Sequence, residues 1–396
     1  MATLTGNRDA STWSLVLLAL FFGLGQNIIK PIIAPQTIAV GGDSIDAGVV
    51  VAAQGIGGLL AAIPTGRLLY AVGGRAIVAI GAVVFAGGAA LMAAATGSGL
   101  LALGHFLLGM GGVGAWLAAQ TMATVASNDD AARRKVARVS TAALIGMLAG
   151  PPLGGLLADL SDVRFAFIAS FILGVLLLPV ALALPPGHDR PTEAAAEGRP
   201  RSRGARLLGS YLWQRPGVLA ALFTSSMAQA LLTIRQSFLP LHLEAAGWSA
   251  TQVGAVLSIA GVGALGARTA FTMLDRRVSA STLMIMCTVP GALALGTAVI
   301  GDSGAVVVTS MLISGFALGL SQPVTLLMLS RATTEVERGP AVGQRIAGNR
   351  LMQAVAPVMF GMLTSVAGLV ASFWAFAVLG AVGGIVVGAQ TRRRRG

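Results

Sequence analysis

Long runs of apolar residues, separated by short polar segments, dominate the chain. A helix that crosses a membrane needs about 20 mostly apolar residues. Twelve runs reach this length, and we predict one transmembrane helix in each, over residues 12–38, 46–70, 76–96, 99–124, 138–159, 164–185, 217–243, 250–273, 279–300, 303–329, 341–367 and 369–389. The pattern predicts an all-α membrane protein with six helices on each side of one longer polar segment.

The longer polar segment, residues 186–216, is rich in Pro, Gly, Ala, Arg and Glu and has no apolar periodicity. Such a composition is typical of a linker. We therefore divide the chain into an N-terminal six-helix bundle at 1–185, a cytoplasmic linker at 186–216, and a C-terminal six-helix bundle at 217–396 with a basic tail.

The composition supports a membrane protein over a soluble one. Of the 396 residues, 55% are hydrophobic and 11% are charged, and the mean hydropathy is +0.81. An average soluble domain carries about 25% charged residues. Cys287 is the only cysteine, and we recognise no metal motif, phosphate loop or nucleophile–base set. We therefore expect no cofactor, no metal and no enzymatic activity.

The net charge of +12 has a topological explanation. If the N-terminus is cytoplasmic, 24 of the 27 Lys and Arg residues lie on the cytoplasmic side, in the tails, the linker, the loops or the cytoplasmic ends of the spans. Membrane proteins retain such residues on that side. We therefore expect a multi-pass protein of the inner (cytoplasmic) membrane with both termini in the cytoplasm. The basic excess does not indicate nucleic-acid binding.

The two halves of the sequence repeat. Three pairs of positions recur at offsets of 205 or 206 residues: Lys30 with Arg235, Gly109 with Gly315, and Pro151 with Pro357. Transporters built from repeated bundles hold their substrate near the middle of the membrane, where the repeats meet.

A glycine–proline cluster in the fifth predicted helix is the most distinctive motif. It reads G-x-x-x-G-P-x-x-G-G, with its positions filled by Gly146, Gly150, Pro151, Gly154 and Gly155. With this motif and its six-plus-six helices, the chain resembles the major facilitator superfamily (MFS), and within it the twelve-helix drug or metabolite:proton antiporters. The resemblance implies two six-helix bundles related by pseudo-two-fold symmetry, alternating access, and export in exchange for protons.

The family motif between the second and third helices, G-x-x-x-D-R-x-G-R-R, is incomplete here. Gly66, Gly73 and Arg75 match it, but Tyr70 stands in place of the aspartate. The second half keeps an acid–base pair, Asp275-Arg276, at the equivalent place. The resemblance implies that these residues belong to gating loops.

The fourth-helix motif of the family, R-x-x-x-G-x-G, is also altered, because His105 replaces its arginine. Histidine titrates near physiological pH, so His105 is a candidate for proton coupling. The alternative is a packed histidine bonded to a backbone carbonyl.

Charges inside the membrane are costly and usually functional. No Asp or Glu lies well inside a predicted span, whereas Lys30 and Arg235 do. One hypothesis is that both face the central cavity and hold an anionic substrate. The alternative is that both extend to the outer interface. Near the start of the eleventh span, we expect Arg350 to face the inner vestibule and Arg345 to contact headgroups or a loop.

Several amide side chains are further candidates for binding the substrate: Gln26, Asn27, Gln229 and Gln322. Amides can also join neighbouring helices, and this alternative stays open for each of them.

Together these observations predict a secondary active transporter, a proton-coupled exporter of a small organic molecule. The alternative is a transporter or exchanger of an organic anion, a carboxylate or phosphate compound held by Lys30 and Arg235. The expected partners are the small-molecule substrate, protons and the lipid bilayer, with the protein as a monomer.

Overall fold

A computed structural model of the protein describes residues 2–124, 129–184, 212, 214–300 and 303–393. These described residues contain thirteen α-helices and no β-strand. The helices are α1 (Ala2–Ile28), α2 (Ile33–Ala39), α3 (Ser44–Val72), α4 (Gly74–Ala93), α5 (Ser98–Thr124), α6 (Asp129–Leu160), α7 (Val163–Leu182), α8 (Pro216–Ala245), α9 (Ala250–Arg277), α10 (Ala280–Thr297), α11 (Gly304–Ala332), α12 (Glu335–Ala367) and α13 (Leu369–Arg393).

Twelve helical segments in the described residues are long and apolar enough to cross a membrane. The first, Thr12–Ala39, combines α1 and α2, and the last is Leu369–Arg392. The predicted all-α architecture with twelve spans is therefore confirmed. One boundary that differs clearly is the start of α6, which begins at Asp129 although its predicted span begins at residue 138. Its first turns are rich in Ala, Arg and Lys, which favour helix whether or not they lie in lipid.

The first span is interrupted, although its apolar pattern is continuous. α1 ends at Ile28, a turn occupies residues 29–32, and α2 begins at Ile33. Pro31 lies in this turn and disfavours helical geometry at the residue before it, Lys30. Arg235, the sequence counterpart of Lys30, lies instead inside the continuous helix α8. The two repeated cations thus have different backbone settings.

Most of the predicted linker lies outside the described residues. α8 begins at Pro216, where a proline at the first helical position costs no hydrogen bond. Leu212, just before it, is fully buried among apolar residues of α8, α10 and α11. The domain limits at 185, 186–216 and 217 stay predictions.

Two compact units make up the chain. The first comprises residues 1–42, 49–200 and 249–254, and the second comprises residues 43–48, 201–248 and 255–396. Two helices contribute to both units: residues 44–48 of α3 belong to the second, and residues 250–254 of α9 belong to the first.

In the first unit, α4 and α5 pack so closely that the backbone of one helix contacts the backbone of the other. A Cβ atom added at Gly88 would lie 2.5 Å from the carbonyl oxygen of Gly104 and 2.7 Å from the amide nitrogen of Leu108. Small residues allow this close approach, which lets membrane helices gain van der Waals contact without help from water.

In the second unit, α9 and α11 meet in the same way. A Cβ atom at Gly315 would lie 2.8 Å from the Cα atom of Ala260. Elsewhere in this unit large side chains fill the interior, with the ring of Phe360 lying 4.5 Å from that of Phe238 and 4.9 Å from that of Phe373. These rings join α8, α12 and α13.

Neighbouring glycines of α4 provide a matched test of this packing. Gly88 faces backbone, whereas a Cβ atom at Gly87 would meet nothing within 4 Å. We expect Gly88→Leu to destabilise the protein by about 1–3 kcal/mol or more through overpacking, and Gly87→Leu to leave stability nearly unchanged. Thermal unfolding in detergent micelles measures both. Equal unfolding midpoints for the two variants would contradict the close α4–α5 contact.

Candidate functional site

The glycines of the fifth-helix motif form a stripe on α6 that packs against α1. A Cβ atom at Gly146 would lie 2.7 Å from the amide nitrogen of Leu24, and one at Gly150 would lie 2.6 Å from the Cβ atom of Asn27. One at Gly154 would overlap the carbonyl of Ile28, the last residue of α1. Residues four apart share a helix face, so this spacing leaves room for the α1 backbone.

A second face of α6 contacts the first turn of α9, whose residues 250–254 also belong to the first unit. A Cβ atom at Gly155 would lie 2.7 Å from the amide nitrogen of Thr251. Conversely, one at Gly254 would lie 2.6 Å from the carbonyl carbon of Pro151. α6 remains one helix through Pro151 and Pro152. The motif thus serves two contacts in different directions.

Asp159 completes this corner at the end of α6. Its carboxylate accepts hydrogen bonds from the backbone amides of Ala250 at 3.0 Å and Thr251 at 2.8 Å. A carboxylate at a helix N-terminus satisfies amides that have no partner within the helix and interacts favourably with the helix dipole.

The second half contains a partial repeat of the motif, Pro357 and Gly361 of α12, and this repeat packs in an equivalent way within the second unit. A Cβ atom at Gly48 would lie 2.5 Å from the carbonyl oxygen of Pro357, and Gly361 faces Ser44. The sequence repeat between Pro151 and Pro357 therefore corresponds to a repeated packing arrangement, in which each proline receives the first turn of another helix.

Three candidate substrate-binding residues lie in the first span, in different surroundings. Asn27 is buried, donates from Nδ2 to the carbonyl oxygen of Gly23 at 2.7 Å, and leaves Oδ1 without a hydrogen-bond partner. Gln26 is half-buried, and its Nε2 lies on the side of Gly112 in α5. Lys30 is half-buried in the turn after α1.

His105 is buried between α5 and α3. Its Nδ1 lies 2.8 Å from the carbonyl oxygen of Val50. A carbonyl only accepts, so Nδ1 carries a proton and Nε2 is the ring nitrogen left for proton exchange. This is the carbonyl-bonded packing that the structural alternative describes, and it is also compatible with a proton role at Nε2.

Arg235 is buried in the second unit with very little compensation. Its side chain is 4% exposed, Nη1 donates to Ser314 Oγ of α11 at 3.0 Å, and Nε has no hydrogen-bond partner. Among the described residues no carboxylate forms an ion pair with it. A buried unpaired cation is costly, so this group has unused capacity for an anion.

The remaining amide candidates differ in how free they are. Gln229 of α8 is half-buried and donates from Nε2 to Thr233 Oγ1 at 3.3 Å, within its own helix. Gln322 is exposed on α11 beside Pro323.

In the gating region of the first unit, Gly66 lies in the last turns of α3 and Gly73 separates α3 from α4 with φ of +85°. That backbone conformation favours glycine. Arg75 is half-buried in the first turn of α4. The side chain of Tyr70 lies outside the described part.

In the second unit, the acid–base pair joins two helices instead of two adjacent residues. Asp275 of α9 pairs with Arg331 of α11, with Nη2 3.2 Å from Oδ2, while Arg276 is exposed. Adjacent residues on a helix point in different directions. The gating role of Asp275 and Arg276 stays a prediction, and the ion-pair partner of Asp275 is Arg331.

One buried cluster was missed by the sequence reasoning. Arg345 of α12 was expected at the headgroups or a loop, and this is wrong: it is 7% exposed and donates from Nη1 to Ser225 Oγ of α8 at 3.3 Å. The fully buried Ala341, four residues earlier, marks the same inward helix face. That spacing was the available signal. Arg350 is half-buried and donates to Gln353 Oε1 at 2.8 Å.

A family comparison decides what kind of protein this is. The model of the Major Facilitator Superfamily matches residues 15–302 and 236–395. The chain belongs to the Major Facilitator Superfamily. It is a transmembrane transporter, as the motif resemblance implied.

Solved structures of other MFS transporters have the same fold over nearly the whole chain. A mutant of the nucleoside transporter NupG matches with a TM-score of 0.83 and 15% identity, covering 96% of this chain and 99% of that one. The D-xylose-proton symporter matches with a TM-score of 0.75 and 18% identity, covering 96% and 97%. A bacterial homolog of the human lysosomal transporter Spinster, inward-facing and unoccupied, has a TM-score of 0.75 and 14% identity, covering 97% of each chain.

A double-mutant cycle tests the pairing of Asp275 with Arg331 in the second unit. We expect a coupling energy of about 0.2–1 kcal/mol between Asp275→Asn and Arg331→Gln, the range of partly exposed ion pairs. The cycle of Asp275→Asn with Arg276→Gln serves as the control and should give a coupling near zero. Unfolding midpoints in detergent provide the energies. Stronger coupling to Arg276 than to Arg331 would contradict the pairing.

Proposed function

We propose that this transporter is an antiporter that exports a small organic molecule in exchange for protons by alternating access. The observation that carries the proposal is the complete fifth-helix motif, whose glycines Gly146, Gly150 and Gly154 pack against α1. In the family, this motif points to exporters that exchange substrate for protons. The solved structures, including a symporter, share under 20% identity with the chain and bear on the fold alone.

A second candidate function concerns the cargo: transport or exchange of an organic anion, a carboxylate or phosphate compound. Arg235 supports it, because this buried guanidinium has one hydroxyl partner, Ser314, and an unsatisfied Nε. A guanidinium binds carboxylates and phosphates through paired donors. Lys30 would contribute the other cation. An exporter of an organic acid satisfies both candidates.

Amide groups would complete the binding of the substrate. Asn27 is favoured, since its Oδ1 is buried without a partner and would accept a hydrogen bond from the cargo. Gln26, Gln229 and Gln322 are proposed beside it. Gln229 would exchange its bond to Thr233 for one to the substrate.

For proton coupling we propose His105. Its Nδ1 bond to Val50 holds the ring and leaves Nε2 to gain and lose a proton. Protonation would place a new charge beside α3 and bias one conformational state over another. The gating residues Gly66, Gly73 and Arg75 of the first unit, and Asp275 and Arg276 of the second, would act on the same equilibrium.

We further propose a monomer in the inner membrane with both termini in the cytoplasm. The distribution of Lys and Arg supports this orientation. The proposed partners are a small organic molecule, protons and the lipid bilayer.

Sealed liposomes containing the purified protein test both candidates. With an imposed pH gradient, we expect organic carboxylates or phosphates to drive proton movement, while lipophilic cations drive none. A pH-sensitive dye enclosed in the vesicles reports the movement. His105→Asn, which keeps a hydrogen-bonding side chain but has no titratable group, should abolish most of the coupled proton movement.

Three results would count against these proposals. Substrate transport without proton movement would reject antiport. Proton movement driven by lipophilic cations would reject the anionic cargo. Undiminished coupling in His105→Asn would reject the histidine while leaving the exporter proposal intact.

A further inference from the structure

A second buried guanidinium lies in the same unit, away from Arg235. Arg345 on α12 is 7% exposed. An arginine carries five N–H donors, and this one makes a single hydrogen bond, from Nη1 to Ser225 Oγ at 3.3 Å. Its Nε is buried without a partner. The bond to Ser225 is long for an N–H···O hydrogen bond, and no other donor of Arg345 bonds to a described protein group.

Two neutral polar groups converge beside this guanidinium. Ser225 of α8 is buried, and the side-chain amide of Asn349 lies 2.9 Å from its hydroxyl oxygen. Asn349 follows Arg345 by four residues, so both lie on the same face of α12. A buried cation, a buried hydroxyl and a half-buried amide therefore lie together between α8 and α12.

The acidic residues of α12 do not neutralise Arg345. Glu337 is held by Arg215 in a bidentate ion pair, with both N–O distances 2.8 Å, and it also accepts from the Thr334 amide at 2.9 Å. Glu335 is exposed in the first turn of α12. Arg350, the next cation along the helix, donates to Gln353. Among the described residues, no carboxylate forms an ion pair with Arg345.

We propose that Arg345, Ser225 and Asn349 bind the carboxylate or phosphate group of an organic anion, at a binding site separate from Arg235. Ser225 and Arg235 are ten residues apart on α8, which corresponds to about 15 Å along the helix axis. The second unit would thus contain two anion-binding sites, one after the other along α8. This inference rests on the proposed anionic cargo and adds a position to it.

A purely structural role for Arg345 predicts the opposite response to substitution. If Arg345 anchors α12 to α8, replacing its side chain should destabilise the protein. An uncompensated buried cation that awaits an anion costs folding free energy, so replacing it by a neutral side chain should be neutral or stabilising without the anion. The unfolding midpoint without ligand and the affinity for an anion therefore separate the two roles.

The experiment measures thermal unfolding of the full chain in detergent micelles, titrated with inorganic phosphate, benzoate or citrate. For Arg345→Gln we expect an unfolding midpoint at or above that of the wild type without anion, and an apparent anion affinity lower by about tenfold or more. Arg345→Lys, which keeps the charge, should fall between the two. Arg338→Gln, which removes an exposed cation of the same helix, is the matched control and should behave like the wild type.

A second binding site also predicts how the effects of substituting the two arginines combine. Arg235→Gln should leave a residual anion-dependent shift, and the double variant Arg235→Gln/Arg345→Gln should abolish it. The proposal is overturned if Arg345→Gln binds the probes as the wild type does, if it lowers the midpoint with unchanged affinity, or if none of the three anions stabilises the wild type. Failure of the anion-transport proposal is a separate result, because it appears as absent anion-driven proton movement by the wild type in liposomes.

Discussion

The scarcity of water at membrane depth is the constraint on which this structure depends. A polar group there must find its partner within the protein, and an unpaired charge is expensive. The chain meets this constraint almost everywhere by using apolar and small residues. Arg235 and Arg345 are exceptions, since each is buried with one hydroxyl partner and an unsatisfied Nε. A transporter that carries an anion gives such costly groups a use, because the cargo supplies the missing charge.

The same constraint explains why glycine matters more than large side chains at the helix contacts. Lipid chains are as apolar as leucine, so helices gain little by burying leucine against each other and more by close backbone contact. The stripe of Gly146, Gly150 and Gly154 brings α6 against the α1 backbone as far as Ile28, just before the turn that carries Lys30. The motif thus links the packing of the first unit to the position of a proposed substrate residue.

Hydropathy and residue spacing were enough to predict the twelve spans and the family. They were less informative about contacts. Asp275 pairs with Arg331, fifty-six residues away, and Arg345 is buried against Ser225, one hundred and twenty residues away. Partners this distant depend on which helix faces meet, and a single sequence gives no direct signal of that. The helix break after Ile28 could have been predicted from Pro31, because proline disfavours helical geometry at the preceding residue, Lys30. The continuous apolar pattern instead predicted one unbroken helix.

Substitution of Arg235 tests whether this buried cation is held ready for the charge of the cargo. The measurement is the apparent affinity for a transported organic anion in sealed liposomes, compared between the wild type and Arg235→Gln, with Arg164→Gln as an exposed-cation control. Losing a charged hydrogen bond of roughly 1.5–3 kcal/mol should weaken the affinity by about 10- to 100-fold, while the control keeps it. An unchanged affinity in Arg235→Gln would show that Arg235 does not bind the anion.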